Sequence, residues 1–292
     1  MFKGSMVAII TPFRDGRVDE ETLRRLIDWQ MDSGTTGLVP CGTTGESPTL
    51  SHEEHKRVIE ITVEQAGGKV PVIAGAGSNN TAEAVDLTRH AKKVGADAAL
   101  HITPYYNKPT QEGIYRHFQT IARECSFPLV AYNIAGRTGV NITPETMARM
   151  ADLPEVVAVK EASGSLGQMA EIVQLCGDKL QLLSGDDNLI LPLLSLGGAG
   201  VISVLANFWP QAMVELHDKW FAGDVKGAQD AYYRLLPVAR AMFLETNPIP
   251  CKTACHLLGL IPDGSMRLPL CELAPANLEQ LKQVLADAGL LS

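Results

Sequence analysis

The chain has 292 residues, 46% of them hydrophobic and 20% charged, and 25 Lys and Arg stand against 33 Asp and Glu for a formal net charge of −8. That composition excludes a disordered chain, which lacks the apolar residues for a core, and a membrane-spanning one, which would gather them into long runs. Basic residues cluster no further than pairs such as Arg24-Arg25 and Lys92-Lys93, which excludes an electrostatic nucleic-acid footprint; neither nucleic acid nor membrane is expected as a partner.

In chain order, Met1-Phe2-Lys3-Gly4-Ser5 leads into an apolar run at 6–10 that Thr11-Pro12 stops. A secretory segment needs about 7–15 apolar residues, so no signal peptide is expected. Runs at 6–10, 37–41, 70–74, 98–102, 129–133, 156–160, 180–184 and 201–204 are short, nearly all apolar and bounded by Gly, Pro, Asn or Asp. They read as parallel strands buried on both faces. Helix starts stand between them: Ser51-His52-Glu53-Glu54 is a capping box, Asn80-Thr81-Ala82-Glu83 a variant of it, and Thr143-Pro144 an N-cap followed by proline. Successive strands are about one βαβ unit apart, and eight such units describe a closed (β/α)8 TIM barrel. The first turn, Ile10-Thr11-Pro12-Phe13, has no glycine, which argues against a doubly wound dinucleotide fold. From Asp224 the strand pattern stops, and 228–243, 247–258 and 277–290 read as helices. The expected organisation is a catalytic barrel over 1–223 and a small all-helical extension over 224–292. Six scattered cysteines in mostly apolar segments read as reduced thiols of a cytoplasmic protein.

The active site of such a barrel lies at the C-terminal ends of its strands. Lys160 ends an apolar run there. Desolvation can lower a lysine pKa by several units and leave a nucleophilic amine, which condenses with a carbonyl to a Schiff base. The residue alone also fits a strand-ending lysine paired with Glu161 or another carboxylate. Tyr132, at the end of the neighbouring strand, is either a proton shuttle or a core tyrosine. Gly42-Thr43-Thr44-Gly45 is either a backbone nest for a carboxylate or a tight βα turn. Arg137, in a loop, could grip a second carboxylate bidentately or be merely solvated.

Other signals are weak. Gly75-Ala76-Gly77 lacks the third glycine of a dinucleotide fingerprint, and Gly197-Gly198-Ala199-Gly200 precedes a strand instead of following one. Cys251-Lys252-Thr253-Ala254-Cys255-His256 misses haem and zinc spacings and reads as two small apolar thiols on one helix face. His52 and His55 lack a metalloprotease continuation, and no metal is expected.

Taken together, Gly42-Thr43-Thr44-Gly45-Glu46, Tyr105-Tyr106-Asn107, Tyr132-Asn133, Arg137-Thr138-Gly139, Val159-Lys160-Glu161 and Ser184-Gly185-Asp186 resemble the signatures of the class I, pyruvate-dependent aldolase superfamily. Within it they most resemble the dihydrodipicolinate synthase family of bacteria. The likeness runs from Met1-Phe2 through Asn247-Pro248-Ile249-Pro250 to the C-terminus.

This resemblance implies a lyase of diaminopimelate and lysine biosynthesis that uses no cofactor beyond a covalent Schiff base on Lys160. Pyruvate condenses with Lys160, and Thr44 and the backbone near Ile202 hold its carboxylate, with Gly185 among the substrate-binding positions. Tyr132 is the acid–base residue, linked through Thr43 to Tyr106 of a neighbouring subunit. The enamine attacks the aldehyde of L-aspartate 4-semialdehyde, whose carboxylate Arg137 binds, and cyclisation with loss of water gives 4-hydroxy-tetrahydrodipicolinate. A homotetramer built from two tight dimers is implied, as is feedback by L-lysine at Ser47, His52, His55, Asn79, Glu83 and Tyr105. Pro48 departs from the alanine of a lysine-sensitive member.

Arg137 separates this reading from the N-acetylneuraminate lyases, which resemble a pattern without arginine there. Sugar-acid aldolases and dehydratases of the superfamily are the remaining enzymatic alternatives. The alternative of another class is a catalytically silent barrel that binds small acids, which should lack the lysine or the tyrosine.

Overall fold

The computed structural model describes residues 2–291; Met1, where the resemblance begins, and Ser292, where the expected extension ends, lie outside them. Eight parallel strands form the barrel: β1 (Gly4–Val7), β4 (Gly37–Leu38), β5 (Ile73–Gly75), β6 (Ala98–Ile102), β7 (Leu129–Asn133), β8 (Val156–Glu161), β9 (Gln181–Ser184) and β10 (Gly200–Ser203). Their order, β4-β1-β10-β9-β8-β7-β6-β5, runs round in one sheet, and a parallel bridge between Leu38 and Val72 joins its two ends. The expected (β/α)8 barrel is the fold found.

A small hairpin of β2 (Phe13–Arg14) and β3 (Arg17–Val18) follows β1. It turns through Asp15 and Gly16, both at positive φ, and was not among the expected elements. The helices are α1 (Glu20–Asp32), α2 (His52–Ala66), α3 (Thr81–Val94), α4 (Gln111–Cys125), α5 (Ala135–Thr138), α6 (Pro144–Ala151), α7 (Leu166–Cys176), α8 (Ile190–Ser195), α9 (Pro210–Phe221), α10 (Val225–Ala241), α11 (Ile249–Leu257) and α12 (Pro275–Asp287).

β4 stops at Leu38, short of the expected 41, and two other strands start off their expected places. The first pairs from Gly4, and beyond Val7 the N–H of Ile10 goes to Asn207 Oδ1 at 2.9 Å instead of to a neighbouring strand. The third begins only at Ile73, because Pro71 has no N–H to give and Val72 N donates to Asp97 Oδ2 at 2.8 Å. The Ser51 capping box is complete. At Asn80 only half of one forms: its side chain accepts from Ala82 N, while Glu83 turns to Ser78 and His52.

Two apolar layers hold the barrel. Inside it, Met6, Val39, Ile73, Leu100, Val130, Ala158, Leu183 and Ile202 pack round Tyr132. The larger layer lies between strands and helices and takes in Leu235, Cys251, Leu281 and Leu285 of the C-terminal helices. The Gly75-Ala76-Gly77 motif serves this packing, since a Cβ on Gly75 would lie 2.1 Å from Cys41 O. Cys251 and Cys255 are buried, as two apolar thiols should be, and all six cysteines are free. Among the described residues no helix is long and apolar enough to cross a membrane.

Candidate active site

Tyr132 near the end of β7 and Lys160 near the end of β8 are register partners. Both are buried, and Lys160 Nζ stands 4.2 Å from the centroid of the Tyr132 ring. Burial is the main cause that lowers the Lys160 ammonium to a pKa of about 8, and Arg137 adds to it, while the charges of Asp186 and Asp187 pull the other way. At pH 7 about one lysine in ten is then the free amine, against about one in three thousand for an ordinary side chain. The Tyr132 phenol is pushed up to about 12, first by burial; Asp186 reinforces this, and Arg137 and the Thr43 side chain oppose it.

The alternative of a pair between Lys160 and Glu161 is not realised. Adjacent residues of a strand point to opposite faces, and Glu161 faces outward, where its carboxylate accepts from Asn133 Nδ2 at 3.0 Å and Ser163 N at 2.8 Å. Gly185, just past β9, packs against the lysine stem: a Cβ there would lie 3.2 Å from Lys160 Cε and 2.7 Å from the Ala162 methyl. Ile202 lines the barrel interior from β10.

The turn at 42–46 approaches from β4. Its N–H groups at Gly45 and Glu46 bond to Gly42 O and Thr43 O within the turn, and Ser47 N bonds back to Gly42 O. The expected nest is thereby reduced to the N–H groups of Gly42, Thr43 and Thr44, which have no partner among the described residues. Thr44 is buried, and its Oγ1 accepts from Asn247 Nδ2 at 3.0 Å. Arg137, on α5, donates to the backbone oxygen of the same Asn247 at 2.8 Å. Asn247 thus ties together two groups expected to hold substrate; the sequence named it only within the stretch of likeness, with no role at the site. An asparagine before Pro248-Ile249-Pro250, at the head of an apolar helix, was the available signal.

Asp186, quoted above only within a signature, and its neighbour Asp187 were given no role from the sequence. Burial raises the Asp186 carboxyl to about 6, with Lys160 opposing, and Asp187 accepts from Val204 N and Leu205 N at 3.1 and 2.8 Å. Tyr106 does not join the cluster within one chain, its ring being 89% exposed.

A cavity of about 360 Å³ opens beside the turn and is lined by Thr43, Ser47, His52, His55, Glu83, Tyr105, Tyr132 and Arg137, among others. Five of the six positions expected to take lysine, Ser47, His52, His55, Glu83 and Tyr105, therefore share one space with Tyr132. In it His52 Nε2 lies 2.7 Å from Glu83 Oε1, and His55 Nε2 lies 2.7 Å from Gly75 O. Burial lowers His55 and raises Tyr105, the latter with help from Glu83. Asn79 packs beside this space, its Nδ2 donating to Tyr105 O at 3.1 Å. Pro48 stands on the cavity wall.

Residues 1–288 match the model of the dihydrodipicolinate synthetase family. The chain is 60% identical to the 4-hydroxy-tetrahydrodipicolinate synthase of Nitratidesulfovibrio vulgaris strain DP4 over 291 residues, 99% of each chain. It superposes with a TM-score of 0.97 and 44% identity on the chloride-inhibited dihydrodipicolinate synthase of Acinetobacter baumannii complexed with pyruvate, covering 100% of both chains. The corresponding enzyme of Cyanidioschyzon merolae with lysine bound gives a TM-score of 0.96 and 41% identity over 99% of each chain.

Proposed function

This chain belongs to the dihydrodipicolinate synthetase family, and from that premise we infer that it is a 4-hydroxy-tetrahydrodipicolinate synthase, a lyase that condenses pyruvate with L-aspartate 4-semialdehyde. The observation that carries the mechanism is Lys160, buried in the barrel mouth, on which Asp186 and Asp187 act through charge alone, without a hydrogen bond. Its free amine attacks pyruvate C2, and the carbinolamine loses water to give the iminium. Loss of a C3 proton yields the enamine, whose C3 then bonds to the aldehyde carbon while the aldehyde oxygen takes up a proton. The amine of the semialdehyde displaces Lys160 from C2, which closes the ring and frees the enzyme. One water leaves for each pair of substrates joined.

Tyr132 is assigned the proton transfers. Its contact with Lys160 supports the role, and Thr43 beside it would relay protons to Tyr106 of a neighbouring subunit. Thr44, with the backbone at Thr43 and near Ile202, would take the pyruvate carboxylate, and Gly185 leaves the room that the adduct needs. Arg137, at the cavity, would bind the carboxylate of the semialdehyde. No step calls for a cofactor or metal.

On the same basis Ser47, His52, His55, Asn79, Glu83 and Tyr105 are assigned to free L-lysine. Glu83 suits its ammonium, and Asn79 and Tyr105 suit its carboxylate. The exposed Tyr106 supports assembly into a homotetramer of paired dimers. The catalytic unit is placed in 1–223 and the helical extension in 224–292, and six free thiols fit a cytoplasmic setting. Purified enzyme given both substrates should form the cyclic product at steady state. Pyruvate capture without turnover of the semialdehyde would send the assignment to a different aldehyde within the superfamily.

A further inference from the structure

The most deeply buried ion pair of the chain lies outside the groups that this chemistry uses. Lys252 on α11 donates to Glu46 Oε1 at 2.6 Å, and both side chains are 0% exposed. The ammonium also stands 3.9 Å from the centroid of the Phe13 ring. The second Glu46 oxygen accepts from Arg267 N at 3.3 Å. Such a pair seldom adds to stability, because desolvating two ions offsets their attraction, and an apolar pair of similar size often does as well. Its use is better sought in what it holds.

What it holds is the turn at 42–46. Glu46 ends that turn at φ 55°, a left-handed conformation that few residues other than glycine, Asn and Asp adopt. Thr43 and Thr44 stand three and two positions before it in the same turn. The segment that supplies Lys252 begins with Asn247, whose side chain bonds to Thr44 and whose backbone oxygen bonds to Arg137. Residues 247–252 therefore grip the turn at two points and Arg137 at a third.

We propose that Lys252 and Glu46 are positioning residues for the condensation, their ion pair pinning α11 to the 42–46 turn so that Thr43, Thr44 and Arg137 keep fixed places around Lys160. This rests on the assignment of the site given above. Misplacing a binding group by about 1 Å can cost on the order of a hundredfold in rate, so the loss should appear in catalysis even where the fold survives.

The test is the Glu46→Met/Lys252→Met double variant, which keeps both side-chain lengths and orphans no charge. It should melt within a few degrees of the parent. It should lose about tenfold or more in kcat/KM for pyruvate, and half-maximal trapping of the reduced pyruvate adduct should need correspondingly more pyruvate. A double variant with parental kcat/KM and parental half-saturation overturns the proposal. A parent that traps no pyruvate overturns the assignment beneath it as well, and the parent lane alone tells the two failures apart. If the double variant does not fold, Glu46→Gln decides, since it keeps an acceptor for Lys252 but removes the carboxylate charge that makes the contact an ion pair. At an unchanged melting temperature, a pyruvate KM raised about threefold supports the tether, and an unchanged KM overturns it.

Discussion

Lys160 and Lys252 are both buried near the same end of the barrel, and burial is the largest influence lowering the pKa of each. Around Lys252 the chain supplies a carboxylate at 2.6 Å, so the ammonium is kept. Around Lys160 it supplies the face of a tyrosine at 4.2 Å, and two aspartates that act only through their charge. One side chain is thereby held in an ion pair, the other left without a bonded partner. Burial alone does not make a nucleophile; burial without a partner does.

The sharpest way to break the comparison is to remove each lysine in turn. Lys160→Ala should lower kcat by about 10⁴-fold or more in a steady-state assay, because the covalent route is gone. Tyr132→Phe should cost about 10²- to 10⁴-fold in kcat while pyruvate still becomes attached. Residual turnover within tenfold of the parent would remove Tyr132 from the proton path. On stability the order reverses. Lys252→Met leaves the buried Glu46 without its cation, and chemical denaturation should report a loss of about 3–5 kcal/mol. Lys160→Met orphans no bonded partner and should not lower the midpoint at pH 7. The sign follows from linkage: the parent carries the penalty of a buried ammonium below the folded pKa of about 8. That penalty fades as the pH rises from there toward the unfolded value near 10.4. Any advantage of Lys160→Met should therefore shrink across that window.

Smaller effects refine the picture. Arg137→Ala should lower kcat/KM for the semialdehyde by about 10- to 100-fold, the range of a charge-assisted contact. KM for pyruvate should stay near parental in the same experiment. Asp186→Asn removes a charge that holds the Lys160 proton on. The pH at which adduct formation reaches half its maximal rate should move down, with little change in the plateau.

Much of this was legible in the chain. Apolar, β-branched runs at even spacing gave the barrel because a strand covered on both faces has no polar alternation to hide. Lys160 and Tyr132 could be placed because strand ends locate the site in such a fold. The same alternation already forbids Lys160 from sharing a face with Glu161, a constraint the residue pattern offered but the paired reading overlooked. The β2–β3 hairpin escaped because two-residue strands carry no periodicity, although Asp15-Gly16 is a turn signal. Asn247 and Lys252 escaped for a different reason. Their partners Thr44 and Glu46 lie more than 200 positions away, and no local pattern encodes that meeting. Nor could spacing reveal that Ser47, His52, His55, Glu83 and Tyr105 border one cavity with Tyr132.

The central claim is that Lys160 reacts as a free amine in its buried place. The measurement that tests it most directly is intact-protein mass spectrometry after pyruvate and borohydride, run as a pH series on the parent and on Lys160→Ala. The parent should show a single reduced adduct, the variant none, and the initial rate of adduct formation in the parent should rise through an apparent pKa of about 8. A folded parent without adduct, or an equal adduct in the variant, would contradict the claim.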